Sequence, residues 1–218
     1  LTCMPEISRV LVVSRDAKVL SLARQSGATT VQEFGPQIYL PTLESASLKD
    51  QSHSLLNRSL AQAARIALDF NAHSVLVVPA DLPQLQRADV QAMLSLDRDP
   101  PLVVNAPDRA CQGTNALLLD PPDAIPFEFG PGSYERHCQL AALAHTRCVT
   151  VENPALALDL DTPEDLSLVL SQDNPWVAEV AHHGDQMGAH PGDRMGADPE
   201  ANPGPLRPNV YEKPDPSN

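Results

Sequence analysis

The chain has 218 residues, 42% of them hydrophobic, which is enough to bury the core of one α/β domain and rules out a wholly disordered chain. Its net charge is -13, with 28 acidic against 15 basic side chains, which excludes a surface built to grip nucleic-acid phosphates. No run approaches the ~18 apolar residues needed to span a bilayer, and no leader pattern opens the chain. A cytoplasmic protein is therefore expected, with no nucleic-acid or membrane partner. An acidic protein still binds nucleotides where a metal ion bridges its carboxylates to phosphate.

The first residue is Leu1, and a strand-like run, Arg9 to Ser14, follows within a few residues. Short apolar runs then alternate with helical patterns for most of the chain, which predicts βαβ units and a mostly parallel sheet. Val10 to Val13 reads as a buried strand, followed by a helix from Ala17 to Gln25 that ends at Gly27. Thr29 to Glu33 reads as a short strand. A polar stretch with Pro36 and Pro41 leads to a long helix, His53 to Asn71, whose residues Leu55, Leu56, Leu60, Ala63, Ala64, Ile66 and Ala67 share a face.

Ser74 to Val78 is the clearest buried strand and runs into Pro79-Ala80-Asp81-Leu82-Pro83, with a helix resuming near Ala88. Leu102 to Val104 and Thr114 to Leu119 read as strands, separated by Asn105-Ala106-Pro107-Asp108-Arg109 and the turn at Gln112-Gly113. Ser133 to Thr146 reads as a helix, Cys148 to Val151 as a strand, and Leu156 to Leu160 as an alternating strand. Thr162, Pro163, Glu164 and Asp165 give the last helix an N-cap, a proline at its first position and two acids in its first turn. From Gln172 onward periodicity is lost, and an octapeptide occurs twice, Gly184 to Pro191 and Gly192 to Pro199. Residues 1–171 are thus expected to form the domain and 172–218 a disordered tail, its His182, His183 and His190 solvated. Cys3, Cys111, Cys138 and Cys148 include no Cys-x-x-Cys pair and are expected to be reduced thiols.

In an open parallel sheet, ligands bind beyond the carboxyl ends of the strands, and each chemical motif here follows a predicted strand. Asp81 stands past the strongest strand, where a carboxylate either holds Mg²⁺ against a triphosphate or caps the next turn. Asp159 and Asp161, two apart, share one face and repel unless a cation or donors lie between them; the alternative is that Asp161 caps the last helix. Gly113-Thr114-Asn115 and Phe129-Gly130-Pro131-Gly132-Ser133 are turn-rich. The second puts Ser133 near a helix N-terminus, which attracts phosphate or carboxylate, with His137 one turn on.

In order, Val12-Val13-Ser14-Arg15-Asp16, Leu56-Asn57, Pro79-Ala80-Asp81-Leu82-Pro83, Pro107-Asp108-Arg109, Gly113-Thr114-Asn115-Ala116-Leu117-Leu118, Phe129-Gly130-Pro131-Gly132-Ser133 with His137, and Asp159-Leu160-Asp161-Thr162-Pro163-Glu164-Asp165-Leu166 resemble one family. It is the 2-phospho-L-lactate guanylyltransferase family, called phosphoenolpyruvate guanylyltransferase in some lineages, of coenzyme F-420 biosynthesis. The resemblance runs from Arg9 to Leu170. The Gly-Thr-Asn-Ala-Leu and Phe-Gly-x-Gly-Ser segments are its specific part; Asp-Leu-Pro and Asp-Thr-Pro-Glu-Asp are shared with other nucleotidyltransferases.

The resemblance implies a Rossmann-like three-layer α/β/α sandwich of the GT-A nucleotidyltransferase type. It implies GTP and a small phospho-acid as substrates, with Mg²⁺ as cofactor. Asp81 and Asp161 would be catalytic, and Asp81, Asp159 and Asp161 would hold the metal. Thr114, Gly130 and Ser133 would bind the phospho-acid, and Asn57 and Pro79 the nucleotide. Such enzymes open with a strand and a basic loop, Pro-x-Lys then a Lys-x-Arg-Leu type segment. Leu1 to Ser8 does not match it, so an N-terminally incomplete domain is expected. Other acceptors (3-phosphoglycerate, molybdopterin, a sugar phosphate) and a non-catalytic remnant are the alternative readings.

Overall fold

A computed structural model of the chain describes residues 1–33, 48–96, 99–170 and 208–210. The stretch with Pro36 and Pro41 and the repeat with its tail histidines lie outside the described residues.

The chain opens with a parallel β-α-β unit. Strand β1 (Leu11–Ser14) and strand β2 (Thr29–Gln32) pair in parallel, Leu11 opposite Thr29, and helix α1 (Ala17–Gln25) connects them. The Asp16 carboxylate caps α1 by accepting the N–H of Lys18 at 2.6 Å and of Val19 at 3.4 Å. Helix α2 (Leu48–Asp69) follows, then strand β3 (Val75–Val77) and helix α3 (Arg87–Leu94). Strands β4 (Leu102–Pro107) and β5 (Thr114–Asp120) come next, then helix α4 (Ser133–Leu143) and strand β6 (Arg147–Val151). Short helices α5 (Pro154–Ala157) and α6 (Pro163–Val169) and strand β7 (Pro208–Val210) complete the order.

The larger sheet has the order β3-β5-β4-β6-β7, and among its pairs only β4–β6 is parallel. The expected mostly parallel sheet is therefore corrected to a mixed one. The cause is loop length. Parallel neighbours need a crossover of roughly a dozen residues or more, and residues 108–113 can only close a hairpin between β4 and β5. Strand β7, in the stretch read as tail, pairs antiparallel with β6, Val149 opposite Val210.

Period-two alternation in β4 and β5 divides the core into two faces. Leu102, Val104, Ala106, Ala116 and Leu118 pack on one side with Leu82, Met93 and Leu156, beneath α3 and α5. Val103, Leu117 and Leu119 pack on the other with Leu60, Ala64 and Ala141, beneath α2 and α4. The result is a helix layer on each side of the sheet, with the face predicted for α2 turned inward. Each fully buried leucine stabilises by roughly 1.5–3 kcal/mol, so the paired interior of β4 and β5 is the main anchor of the fold. No helix among the described residues is long and apolar enough to cross a membrane.

Two local expectations are also corrected. Leu156 to Leu160 is not a strand, because Asn153 caps a helical turn with Pro154 at its first position, and Leu158 ends that turn in an extended conformation. Helix α4 stops at Leu143 rather than Thr146, because His145 takes a left-handed conformation (φ 54°) and the N–H of Thr146 turns back to the Ala141 carbonyl.

Candidate active site

The carboxyl ends of β3, β4 and β6 lie on the same edge of the sheet as the start of β5, so the loops after them share one rim. Three hydrogen bonds, one from a side chain and two between backbone groups, bring the acidic segment to that rim. The Asn115 amide, on β5, donates to the Leu156 carbonyl at 2.9 Å. The Arg109 N–H donates to Ala157 at 3.2 Å, and the Leu160 N–H donates to the Asp81 carbonyl at 3.1 Å. The last bond sets Asp159 and Asp161 on either side of the residue that touches Asp81.

Asp81 and Asp161 are exposed, and Asp159 is half-buried. Partial burial is the largest cause that pushes the Asp159 carboxyl above the usual carboxylate value. The charges of Asp161, Asp81 and Asp108 act the same way, against a lowering hydrogen bond from its own backbone. Asp159 thus senses three other carboxylates. The donors are all hard oxygens, the type that suits Mg²⁺. Among the described residues no three His, Cys, Asp or Glu side chains form a group able to hold a metal ion by themselves.

Asp161 does not cap α6. Thr162 does, as its sequence suggests: its hydroxyl accepts the Asp165 N–H at 3.2 Å, and the Asp165 carboxylate accepts the Thr162 N–H at 3.0 Å. Asp165 also pairs with Arg109. Hydrogen bonds from Thr162, then the charge of Arg109, hold the Asp165 carboxyl below its usual value.

The second half of the rim is built on α4. The Thr114 N–H donates to the Ser133 hydroxyl at 2.9 Å, and the Thr114 hydroxyl meets His137 Nδ1 at 3.0 Å. Ser133 is the first residue of α4, and Gly132 caps the helix at φ 72°, a left-handed conformation that glycine adopts without strain. Gly130 also has positive φ (126°), and its carbonyl accepts the Ser133 N–H at 3.0 Å. Thr114, Gly130 and Ser133 are therefore brought together around the start of α4, where the Ser133 and Tyr134 N–H groups are bonded to the Gly130 and Gln112 carbonyls.

The loop before α4 is held from three sides. Asn57, on α2, accepts the Phe129 N–H at 2.9 Å and donates to the Phe129 carbonyl at 3.1 Å. His137 Nε2 accepts the Glu128 N–H at 3.1 Å, and the Arg136 guanidinium donates to the Glu128 and Pro131 carbonyls. Burial, the main cause, and the charge of Arg136 hold the His137 pKa down to about 4, so the ring is neutral near pH 7. The structure shows the Asn57 amide engaged with Phe129, and Pro79 half-buried between β3 and Asp81.

The loop between β4 and β5 joins the two halves. Asp108 accepts the N–H of Gln112 at 2.9 Å and of Gly113 at 2.8 Å, and the Gln112 carbonyl accepts the Tyr134 N–H at 3.2 Å. A side chain at position 113 would begin 2.8 Å from Asp108 Oδ2, so the Asp108 carboxylate would have to shift to admit one. Sequence reasoning passed over Asp108, Arg109, Asn115 and Arg136 as functional residues. The first three lie within motifs it quoted; Asp108 closes its own turn onto Gln112 and Gly113, whereas Arg109 and Asn115 reach partners more than 40 positions away, Asp165 and Leu156.

Residues 3–175 match the family described as guanylyl transferase CofC like. The chain belongs to that family. As a guanylyl transferase CofC like protein it is similar to a phosphoenolpyruvate guanylyltransferase of Rubrobacter xylanophilus, 43% identical over 74% of this chain and 70% of the relative. It is also similar to a 3-phospho-D-glycerate guanylyltransferase of Colwellia psychrerythraea, 38% identical over 57% of this chain and 59% of the relative. A phosphoenolpyruvate guanylyltransferase of Conexibacter woesei is 36% identical over 68% of the chain and 64% of the relative. All the rim residues described above fall within the matched span of this guanylyl transferase CofC like chain.

Proposed function

We propose that the chain transfers GMP from GTP to the phosphate of a small phospho-carboxylic acid, releasing pyrophosphate, as a step of coenzyme F-420 biosynthesis. The observation that carries this reading is the two-part rim: carboxylates around Asp81 on one side, and hydroxyls at a helix N-terminus on the other. The acceptor is phosphoenolpyruvate or 2-phospho-L-lactate, and the names of the Rubrobacter and Conexibacter relatives favour the first. The reading carries with it the GT-A form of the sandwich.

The acceptor's phosphate oxygen forms a bond to the α-phosphorus of GTP as the bond from that phosphorus to the bridging oxygen of pyrophosphate breaks. The attacking oxygen is already anionic, so positioning and charge neutralisation matter more than a strong base. Thr114, Gly130 and Ser133 would seat the acid. Asn57 and Pro79 would border the nucleotide. Asp81, with Asp159 and Asp161, would hold Mg²⁺, which supplies positive charge against the triphosphate.

A second reading, transfer to 3-phospho-D-glycerate, is favoured by the Colwellia relative. Incubation with GTP and Mg²⁺ and each acid in turn, with mass spectrometry of the products, separates the two. A GMP adduct of phosphoenolpyruvate or phospholactate supports the first reading. An adduct of phosphoglycerate alone moves the assignment to the second, and no adduct from any acid refutes both.

A further inference from the structure

We infer that His137 is a positioning residue that commits the Thr114 hydroxyl to donate a hydrogen bond toward the acceptor, and that Ser133 is committed likewise by the backbone of Thr114. The inference deepens the proposed acceptor site and rests on that reading.

The deduction starts from a group whose role is fixed. The Glu128 N–H is a backbone amide and can only donate, so His137 Nε2, 3.1 Å away, accepts and carries no proton. The neutral ring therefore has its proton on Nδ1, which faces the Thr114 hydroxyl at 3.0 Å. Nδ1–H donates, and Thr114 Oγ1 accepts. The hydroxyl's own proton then has to point elsewhere, and among the described residues no acceptor for it is present. Ser133 repeats the arrangement: its hydroxyl accepts the Thr114 N–H at 2.9 Å, and its proton likewise meets no acceptor among the described residues.

Thr114 is 7% exposed, Ser133 1% and His137 0%, so bulk water satisfies these protons poorly. Two buried hydroxyls, both already used as acceptors, form a pair of donors beside a helix N-terminus. That chemistry selects an anion with two oxygens to offer, a carboxylate or a phosphate of the acceptor, and penalises a neutral ligand. Burial of His137 and its edge-on contact with Phe129, at 5.1 Å between ring centroids, keep the ring from turning over and reversing the pattern.

The test pairs two variants that divide the ring's roles. His137→Asn can still present an N–H near Nδ1 toward Thr114, whereas His137→Gln can still accept from Glu128 but loses that donor. Thr114→Val removes the hydroxyl at nearly constant volume. Steady-state kinetics with GTP, Mg²⁺ and phosphoenolpyruvate should show KM for the acid raised by about tenfold or more in His137→Gln and Thr114→Val. His137→Asn should recover most of the loss, with KM for GTP unchanged in all three. Equal effects of Asn and Gln, or an unchanged acid KM in Thr114→Val, would overturn the inference.

Imidazole nitrogen NMR on the unaltered protein gives an answer that depends neither on turnover nor on the folding of a variant. The Nδ1–H tautomer supports the inference and the Nε2–H tautomer overturns it. If the unaltered protein does not use phosphoenolpyruvate, the proposed reaction with that acid fails, and the tautomer still decides the role of His137.

Discussion

The Leu160 N–H and the Asp81 carbonyl, 3.1 Å apart, join the loop after β3 to the segment before α6. Through this one backbone bond, residues 79 positions apart in sequence set three carboxylates on one rim. Partial burial and the neighbouring carboxylates raise the Asp159 carboxyl, so ionised Asp159 opposes folding. Asp159→Asn removes the half-buried member of the group and should leave the urea midpoint unchanged or higher. Guanylyl transfer should fall by about 100-fold or more. A large loss of stability would show that Asp159 serves the fold instead.

Gly113 gives a structural prediction. Its Gly113→Ala variant places a methyl 2.8 Å from Asp108 Oδ2, the atom that accepts the Gly113 N–H. Displacing that carboxylate should cost about 1–3 kcal/mol in chemical denaturation. In a double-mutant cycle with Asp108→Ala the two losses should not add, because both variants break the same cap.

Asn57 separates two roles. If it acts by holding Phe129, Asn57→Leu leaves one N–H and one carbonyl without their partner. Stability should fall by about 1–3 kcal/mol for each group left unpaired, and KM for the phospho-acid should rise more than KM for GTP. A rise confined to GTP would instead mean direct contact with the nucleotide.

His137 gives a pH dependence. Its pKa falls from 6.5 in the unfolded chain to about 4 in the fold, so between those values the unfolded state binds the proton and the folded state does not. The stabilisation is fully present above pH 6.5 and is lost as pH falls toward about 4, amounting to roughly 3 kcal/mol across that window. Urea unfolding at a series of pH values should show this slope, and His137→Gln should flatten it. Asp165, whose pKa is also depressed, loses its contribution as pH falls through its lowered value in both proteins, so the difference between them isolates the histidine.

Much of this arrangement was legible in the sequence because it is local. The Thr162-Pro163 start of α6, the apolar face of α2 and the glycine-rich entry to α4 each depend on neighbours within a few residues. The mixed sheet was also within reach, since residues 108–113 are too few for a crossover. Other features depend on distant pairs. Asn57 meets Phe129 across 72 positions and Asn115 meets Leu156 across 41, in each case through backbone groups that carry no residue-specific signal. Asp108 read as part of a motif, and only the fold shows that both its oxygens close the turn before Thr114.

The most direct test is pyrophosphate release from GTP and Mg²⁺ with phosphoenolpyruvate, phospholactate or phosphoglycerate, by the unaltered chain, Asp81→Ala and Ser133→Ala. The account predicts release that requires an acid, disappears in Asp81→Ala, and in Ser133→Ala returns only at higher acid concentration. Release without any acid, or undiminished release from folded Asp81→Ala, would contradict it.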